Sequence, residues 1–362
     1  MSETMIRWTS TPGATAPDGF LKRFDRCGDT IQLEYSAPRV SSQAYTAAVL
    51  QMALRRPAEL MIVGGSDRDL ARAAAFRCAS PARVGTLGLY EAVGGPAGDA
   101  ATETIVNAAL EWAEEQGLDE LFAPVDANTW FNYRFVLPGR DSSTGPPAHA
   151  WEPEHPAAYL ERFRRLGFEV AETFETVGFD FPRSGAYTMS DLVEHTRRGF
   201  EQSRRAGFRI ERLEEGADTA DFLDELHPVC MEAFRDGPIF EPLPLELFRG
   251  QYQTVLDGTH GHITFYARNP EGRLAGFVFA FPDRNALVVK TIAVDPNARG
   301  QRLSSALLHP VFQVAAENGI TKVISALIRE GNTSMFLVEP HKVPTVGTWV
   351  RRYALLRREV GP

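Results

Sequence analysis

The chain has 362 residues, 44% of them hydrophobic, and a formal net charge of −9. This length suits two domains rather than one, and the hydrophobic fraction allows full cores, which excludes a disordered protein. The negative balance argues against a protein that coats nucleic acid or a membrane surface, but leaves room for a local basic patch.

The three cysteines (Cys27, Cys78 and Cys230) are far apart in the sequence and form no metal-ligand pattern. We therefore expect buried free thiols in a reducing compartment and no metal site. The first residues hold no apolar segment of signal-peptide length, and no run approaches the roughly 18 apolar residues of a membrane helix. The expected location is cytoplasmic, with no membrane partner.

The first half of the chain predicts strands followed by alternating helices and strands. Residues 1–58 are hard to interpret and are assigned an opening strand and helices. Three short segments bounded by Gly, Ser and Pro predict antiparallel strands at 60–63, 72–77 and 84–91. The run 94–98, which contains three glycines and a proline, then breaks the pattern. Hydrophobic spacing predicts a helix, a strand, a second helix and a strand over 101–116, 121–124, 159–168 and 170–179.

The second half repeats this order of elements. It predicts a hairpin, a strand, a helix and two further strands over 261–267 with 274–281, 287–294, 302–318, 323–328 and 351–356. The repetition indicates an internal duplication of an α/β unit. We place the boundary between the two units near residue 183, giving domains 1–183 and 184–362.

The segment after the strand 287–294 has the pattern of an anion site. The β-branched run ends at Asp295-Pro296, a short turn at Arg299-Gly300-Gln301 follows, and a helical pattern begins at once. A strand, a turn and a helix in this order direct free backbone N–H groups and a helix dipole at one point, which suits a phosphate.

This segment resembles the acyl-CoA-binding core of the GNAT superfamily of N-acyltransferases. In that family a loop of pattern Gln/Arg-x-x-Gly-x-Gly/Ala holds the CoA pyrophosphate. Here Arg299 matches the first position, while Arg302 stands at the glycine and Ser304 at the closing small residue. The duplicated order resembles tandem GNAT enzymes over roughly residues 59–360. That resemblance implies an α/β (α+β) fold of two GNAT-like domains, each a mixed, mostly antiparallel twisted sheet flanked by helices.

The resemblance implies acetyl-CoA or another acyl-CoA as co-substrate. Its expected contacts are Ile292, Ala293, Val294, Arg299, Gly300, Gln301, Arg302, Leu303, Ser304, Ser305, Asn332 and Ser334. A backbone amide of residues 292–294 would polarise the carbonyl. The family's usual acidic tyrosine is absent, since position 340 is Pro340, which leaves water or His341 as the acid. Arg302 either forks onto the phosphate or fills the site and excludes CoA.

The loop 126–134 follows a strand of the first half and gathers amide, hydroxyl, aromatic and guanidinium groups. We expect Asn128, Trp130, Tyr133 and Arg134 to bind a small polar acceptor. The alternative is a loop whose Asn and Thr cap local structure and whose Trp and Phe pack inward. The loop 95–100 of this half places Asp99 where an anion would sit, so we expect this half to frame the acceptor rather than bind a donor.

Three side chains are assigned to catalysis. Lys290 lies inside an apolar strand and either sits on an exposed face or, as we expect, faces the cleft as a contact for an acceptor carboxylate or a donor carbonyl. Glu330 and Glu241 are candidate bases, beside Asp236 and His227. No Gly-x-Ser-x-Gly elbow is present, which favours direct attack over a covalent intermediate.

The segment 195–212 carries six arginines against two glutamates. If helical, it is a solvated helix or a surface where Arg197, Arg198, Arg204 and Arg205 dock a polyanionic donor such as tRNA or an acidic carrier protein.

The function expected is an acyltransferase that forms an amide on a small-molecule amine by direct transfer from acyl-CoA. One alternative takes the acyl group from aminoacyl-tRNA or a carrier protein, for example in natural-product tailoring. A second is a non-catalytic GNAT-like protein that binds a metabolite.

Overall fold

The computed structural model describes residues 4–12, 16–33, 43–139, 147–181, 187–257, 261–331 and 346–361. The first half opens with β1 (Thr4–Ser10), α1 (Asp18–Leu33) and α2 (Gln43–Ala53), followed by strands β2 (Ala58–Gly64), β3 (Asp69–Arg77) and β4 (Val84–Ala92). It continues with α3 (Gly95–Glu115), β5 (Glu120–Ala123), the short β6 (Phe135–Val136), α4 (Ala157–Arg165) and β7 (Glu169–Asp180).

The second half begins with α5 (Met189–Arg205), β8 (Arg209–Leu213), α6 (Ala220–Ala233) and α7 (Leu245–Leu256). Strands β9 (Ile263–Arg268), β10 (Leu274–Asp283) and β11 (Ala286–Val294) follow. A single 3₁₀ turn (Pro296–Ala298), α8 (Leu303–Glu317), β12 (Lys322–Arg329) and β13 (Val346–Glu359) complete it. The predicted strands and helices of both halves are thereby confirmed, with ends that differ by a few residues.

The described strands form one continuous sheet in the order β1-β2-β3-β4-β5-β13-β7-β12-β11-β10-β9-β8, with β6 paired to β13. Pairing along this path is antiparallel except between β4 and β5 and between β11 and β12, which are parallel. The same arrangement therefore occurs twice, as the predicted duplication requires.

The last strand of each half lies in the other half. β7 ends the first half but pairs with β12, and β13 ends the second half but pairs with β5. The two exchanged strands also pair with each other from Val346↔Asp180 to Arg357↔Glu169. The halves thus share one sheet, which side-chain patterns do not reveal, because each strand is equally apolar against either neighbour.

Two features correct or complete the sequence analysis. Residues 95–98 do not form a loop; they are the first turn of α3, because Pro96 sits where a helix needs no N–H donor. The three cysteines are buried and free, as expected. Burial raises the pKa of the Cys27 and Cys78 thiols to about 12, so neither is a nucleophile.

Candidate functional site: an open strand pair beside a helix N-terminus

The parallel pair β11–β12 opens partway along its length. The strands pair from Ala286↔Lys322 to Val289↔Ser325, and this pairing then stops. On the other side of β11, Thr291 pairs with Phe279 and Val289 with Ala280, so Lys290 is the extra residue of a β-bulge. The bulge lies where the strands separate and leaves the side chain of Lys290 partly accessible.

The backbone of β11 directs alternate N–H groups into this gap. Asp295 donates its N–H to the carbonyl of Ala275 on β10 at 2.9 Å. In an antiparallel ladder every second residue faces the same neighbour, so Ala293 also faces β10. The N–H groups of Ile292 and Val294 consequently face the side where β12 has moved away. Of the three predicted backbone positions, these two have the orientation to polarise a carbonyl in the gap.

The turn after β11, where the sequence predicts an anion site, lies at the start of α8. Arg302 is the N-cap of this helix and adopts left-handed backbone angles of φ 56° and ψ 27°. Gly300 also has a positive φ, of 83°. Leu303 is buried and Ser304 and Ser305 are half-buried, whereas Arg299, Gln301 and Arg302 are exposed. The free N–H groups of the first helical turn therefore lie at this end of α8, and two exposed arginines belong to the same turn.

Helix α5 supports this turn from behind. Ser203 donates its hydroxyl to the carbonyl of Gln301 at 2.6 Å. A Cβ on Gly199 would lie 2.5 Å from Cβ of Ser305, so glycine is needed for the close approach of the two helices. The predicted contacts Asn332 and Ser334 lie outside the described residues, as do Pro340 and His341.

A cluster of charged side chains surrounds Lys290. Its pKa is lowered to about 7, because burial disfavours the ammonium and the guanidinium of Arg134 repels it, against the weaker attraction of Glu152. Arg134 itself is 9% exposed, and burial lowers its pKa to about 9. A lysine of the second half and a buried arginine of the first half therefore lie near each other.

Glu152 is the acidic member of this cluster, and its carboxylate is fully engaged. One oxygen accepts from the hydroxyl of Tyr353. The other accepts from Arg351 at 2.6 Å and from the backbone N–H of His149 at 3.0 Å. Burial lowers the pKa of His149, which is therefore neutral at pH 7. Sequence reasoning missed His149 and Glu152, since nothing in the segment 147–156 has a recognisable motif.

The same segment brings the first half against the sheet of the second. The ring of Trp151 packs edge-on against Phe281 of β10, with centroids 4.8 Å apart. Arg284, in the turn between β10 and β11, donates to the carbonyl of Ala148 at 2.7 Å. The first half thus supplies one wall of the site around Lys290.

The four predicted acceptor contacts separate into two pairs. Tyr133 and Arg134 lie together, with the Arg134 guanidinium 3.8 Å from the centre of the Tyr133 ring. Asn128 is fully buried and accepts from the N–H of Trp130 at 3.0 Å. Trp130 in turn donates its indole N–H to the carbonyl of Glu241 at 2.8 Å and packs against Phe248. The structure thus gives Asn128 and Trp130 internal partners, which was the alternative considered for this loop.

The two predicted carboxylate bases also have partners. Glu241 is 3% exposed and forms an ion pair with Arg56 across the two halves. Glu330 accepts a hydrogen bond from the hydroxyl of Thr173 and pairs through its backbone with the same residue. Glu241 is thus held in a buried ion pair, whereas Glu330 is exposed, and Lys290 is the member of the predicted catalytic set that lies where β11 and β12 separate.

The corresponding opening in the first half is closed by its own chain. The parallel pair β4–β5 ends at Thr86↔Phe122, and Asp126 then accepts from the N–H of Leu89 at 2.6 Å. A Cβ on Gly88 would lie 2.1 Å from the carbonyl oxygen of Val125. Asp99 does not face an anion site, since it is ion-paired to Arg162 at 2.7 Å. The open strand pair is thus a feature of the second half in the described part of the chain.

Of the four arginines singled out on α5, two are ion-paired and two are not. Arg197 pairs with Glu194 at 2.7 Å and Arg205 with Glu201 at 3.5 Å. Arg198 and Arg204 are exposed, and no carboxylate in the described segments pairs with them. They lie on the helix that supports the anion-binding turn.

The described residues contain no helix long and apolar enough to span a bilayer. They also contain no group of three His, Cys, Asp or Glu side chains placed to hold a metal ion.

Comparisons with known proteins agree with this geometry. Residues 222–335 match the profile of the "Acetyltransferase (GNAT) family". A comparison with curated proteins gives no match. Among solved structures, a tandem GNAT protein from the clavulanic acid biosynthesis pathway is similar at 13% identity and a TM-score of 0.52, over 99% of both chains.

Two further structures have the same fold. One is a conserved protein of unknown function from Enterococcus faecalis V583, a probable N-acyltransferase, with 10% identity and a TM-score of 0.55 over 99% of this chain and 73% of that one. The other is a GCN5-related N-acetyltransferase from Kribbella flavida, with 14% identity and a TM-score of 0.52 over 99% and 71%. The chain therefore has the tandem GNAT fold, and residues 222–335 of its second half match the profile of the GNAT acetyltransferases.

Proposed function

We propose that the protein is an N-acyltransferase that forms an amide on a small-molecule amine, with acyl-CoA as the donor bound by the second half. The observation that carries this proposal is the opening of β11 from β12 at Lys290, next to the N-terminus of α8. A thioester placed in the gap would have its phosphates at the helix and its carbonyl near the N–H groups of Ile292 and Val294.

The distances along β11 suit this arrangement. Lys290 and Val294 are four residues apart, which is roughly 13 Å in an extended strand. A carbonyl at the N–H of Ile292 would thus lie about 7 Å along the strand from Lys290, whereas one at Val294 would lie at the end of the strand next to the turn. The segment 147–156 packs against β10 and the turn before β11, and exclusion of water by this cover would strengthen hydrogen bonds to a developing oxyanion.

The reaction is a direct transfer. Lys290 is proposed to take one proton from the ammonium group of the acceptor, because a lysine of pKa about 7 is partly neutral at physiological pH. The resulting neutral amine attacks the thioester carbonyl, a C–N bond forms, and the C–S bond breaks to release the CoA thiolate. The nitrogen loses its second proton to water, and water protonates the thiolate. Arg134, Tyr133 and the segment 147–156 of the first half would frame the acceptor.

Charge reversal at Arg302 tests whether CoA occupies the turn. We expect Arg302→Glu to weaken acetyl-CoA binding at least tenfold, because a carboxylate would face the phosphates. Arg302→Gly should bind within a few-fold of wild type and unfold at a higher temperature, since a non-glycine left-handed residue costs about 1–2 kcal/mol. Titration calorimetry measures the affinities, with one site expected per chain because the opening of the first half is filled.

Lys322→Glu is the matched control for this experiment. Lys322 begins β12 and pairs with Ala286, at the opposite end of the strand pair from the turn. Lys322→Glu changes the net charge by the same amount as Arg302→Glu and should leave the affinity for acetyl-CoA unchanged. Equal affinity of wild type and Arg302→Glu would contradict the proposed donor site.

A donor carried by tRNA or a carrier protein is the second candidate. Arg198 and Arg204 favour it, because both are exposed, lack an ion pair among the described residues and belong to the helix that supports the turn. If they contact a polyanion, Arg198→Gln with Arg204→Gln should weaken donor binding and flatten its salt dependence. Each phosphate contact contributes about −0.9 to the log–log salt slope on duplex nucleic acid.

The ion-paired arginines provide the control for this second candidate. Arg197→Gln with Arg205→Gln removes the same charge from arginines already neutralised by glutamates and should change the slope less. Transfer rates between about 50 and 200 mM salt are the measurement. A rate insensitive to salt, in wild type and both double variants, would leave acyl-CoA as the donor.

A further inference from the structure

The cluster around Lys290 carries more positive than negative charge. Arg134 and Arg351 are both charged at pH 7, and Glu152 is the carboxylate that pairs with Arg351. The oxygens of Glu152 are taken by Tyr353, Arg351 and the backbone of His149. Glu152 therefore neutralises Arg351 and leaves Arg134 uncompensated. Even with Lys290 and His149 neutral, one unbalanced positive charge remains in the described part of the site.

Arg134 is also incompletely hydrogen-bonded. Its Nη2 donates to the hydroxyl of Tyr133, and its plane lies over two rings, 3.8 Å from the centre of Tyr133 and 4.3 Å from that of Phe174. Its Nε is buried with no partner among the described residues. A buried guanidinium is costly unless an anion or hydrogen bonds compensate it. The two aromatic rings pack against the flat faces of the guanidinium, but they leave the N–H groups at its edge without full hydrogen bonding.

Arg134 lies near the place where β11 and β12 separate. Arg134 lies over the ring of Phe174 on β7, and Phe174 pairs with Arg329 of β12, so Arg134 is one strand away from the strand that borders the gap. Lys290 lies on β11, the strand on the other side. An anion at Arg134 would therefore sit beside the side chain proposed to receive the proton of the amine. Arg134 acts electrostatically on Lys290, which makes the two side chains neighbours, as the carboxylate and the amine of one small molecule are.

We infer that the acceptor is an amino carboxylate, whose carboxylate pairs with Arg134 while its amino group lies at Lys290. This inference rests on the proposed acyl transfer and specifies its substrate class. Binding would also prepare the base: a carboxylate on Arg134 neutralises the charge that repels the Lys290 ammonium, so the basicity of Lys290 increases when the acceptor arrives. Arginine suits this task because its planar fork matches a carboxylate in two hydrogen bonds.

Matched pairs of acceptors test the inference. A panel of the common amino acids and the corresponding amino-acid amides is assayed with acetyl-CoA by release of the CoA thiol. We expect the carboxylates to exceed their amides in kcat/KM at least tenfold, the value of one charge-assisted hydrogen bond pair. Arg134→Gln should remove this preference, mainly through KM. Arg352→Gln should retain this preference. Arg352 follows Arg351 on β13, lies on the opposite face of that strand and is bonded to Glu175.

A second measurement does not depend on turnover. Modification of Lys290 by an amine-directed reagent, followed by mass spectrometry, reports its neutral fraction against pH, with the exposed Lys322 as internal reference. Added amino acids should shift the titration of Lys290 to higher pH in wild type. In Arg134→Gln the titration should lie at higher pH from the start and no longer respond.

The possible outcomes distinguish a failure of this inference from a failure of the proposed acyl transfer. Transfer to amides as fast as to amino acids would overturn the carboxylate site and leave the acyltransferase in place. If neither class reacts, the Lys290 titration decides: a shift with amino acids that is absent in Arg134→Gln supports the carboxylate site, and no shift overturns it.

Discussion

Replacing Lys290 with arginine is expected to remove most acyl transfer while acetyl-CoA still binds. General bases contribute typically 10²–10⁴-fold to a rate, and arginine keeps the positive charge but cannot lose its proton at physiological pH. Lys290→Met should lose activity to a similar extent. The two variants together distinguish a base from an electrostatic contact, because only a contact would be preserved by arginine.

The pH dependence of wild type gives the same role an independent measurement. Lys290 is active as the neutral amine, and its pKa is lowered to about 7. The value of kcat/KM for the acceptor should therefore fall about tenfold per pH unit below pH 7 and reach a plateau above it. Lys290→Met should not show this fall in kcat/KM below pH 7. Activity of Lys290→Arg within a few-fold of wild type, with this fall intact, would show that another group takes the proton.

Much of the fold was predictable because the information is local. Strand, turn and helix at 288–308 are encoded by a β-branched run, Asp295-Pro296 and a glycine, all within one segment. The repetition of this order in both halves follows from comparing two such segments. The exchange of β7 and β13 was not predictable, since the choice between two partners depends on contacts more than a hundred residues apart.

The residues of the site likewise divide into those that a local sequence pattern indicates and those that it does not. Lys290 stood out because a lysine in an apolar strand needs an explanation, and the anion-binding turn stood out by its order of elements. Glu152 and His149 gave no local signal, because their role comes from packing the segment 147–156 against β10 and β11. The composition of the loop 126–134 does not indicate which of its polar residues belong to the site. The structure places Arg134 beside the site and Asn128 in the interior.

The tandem arrangement thus assigns different tasks to two similar units. In the first half the strand opening is filled by Asp126 and the chain around it. That half instead contributes Arg134 and Glu152 to the opening in the second half. Because β13 carries Arg351 and Tyr353 into the sheet of the first half, the exchanged strand also fixes Glu152. The shared sheet is therefore part of the site and not only a link between the units.

Glu152→Gln is expected to be the most destabilising single change in this cluster. The carboxylate is fully buried and neutralises Arg351, whose side chain is 10% exposed. Removal of one partner from a buried ion pair typically costs about 3–5 kcal/mol, because the remaining charge stays in a poorly solvated place. Tyr353 and the N–H of His149 would also lose a charged acceptor. Urea unfolding followed by circular dichroism measures the loss.

Glu175→Gln is the matched control, because Glu175 pairs with Arg352, the neighbour of Arg351 on β13. The Arg352 side chain is 65% exposed, so water compensates for the lost partner and the cost should stay within about 1 kcal/mol. A double variant, Glu152→Gln with Arg351→Gln, should recover part of the stability by removing the stranded charge. Equal losses in Glu152→Gln and Glu175→Gln would show that Glu152 does not neutralise this cluster. The excess charge assigned to Arg134 would then need a different account.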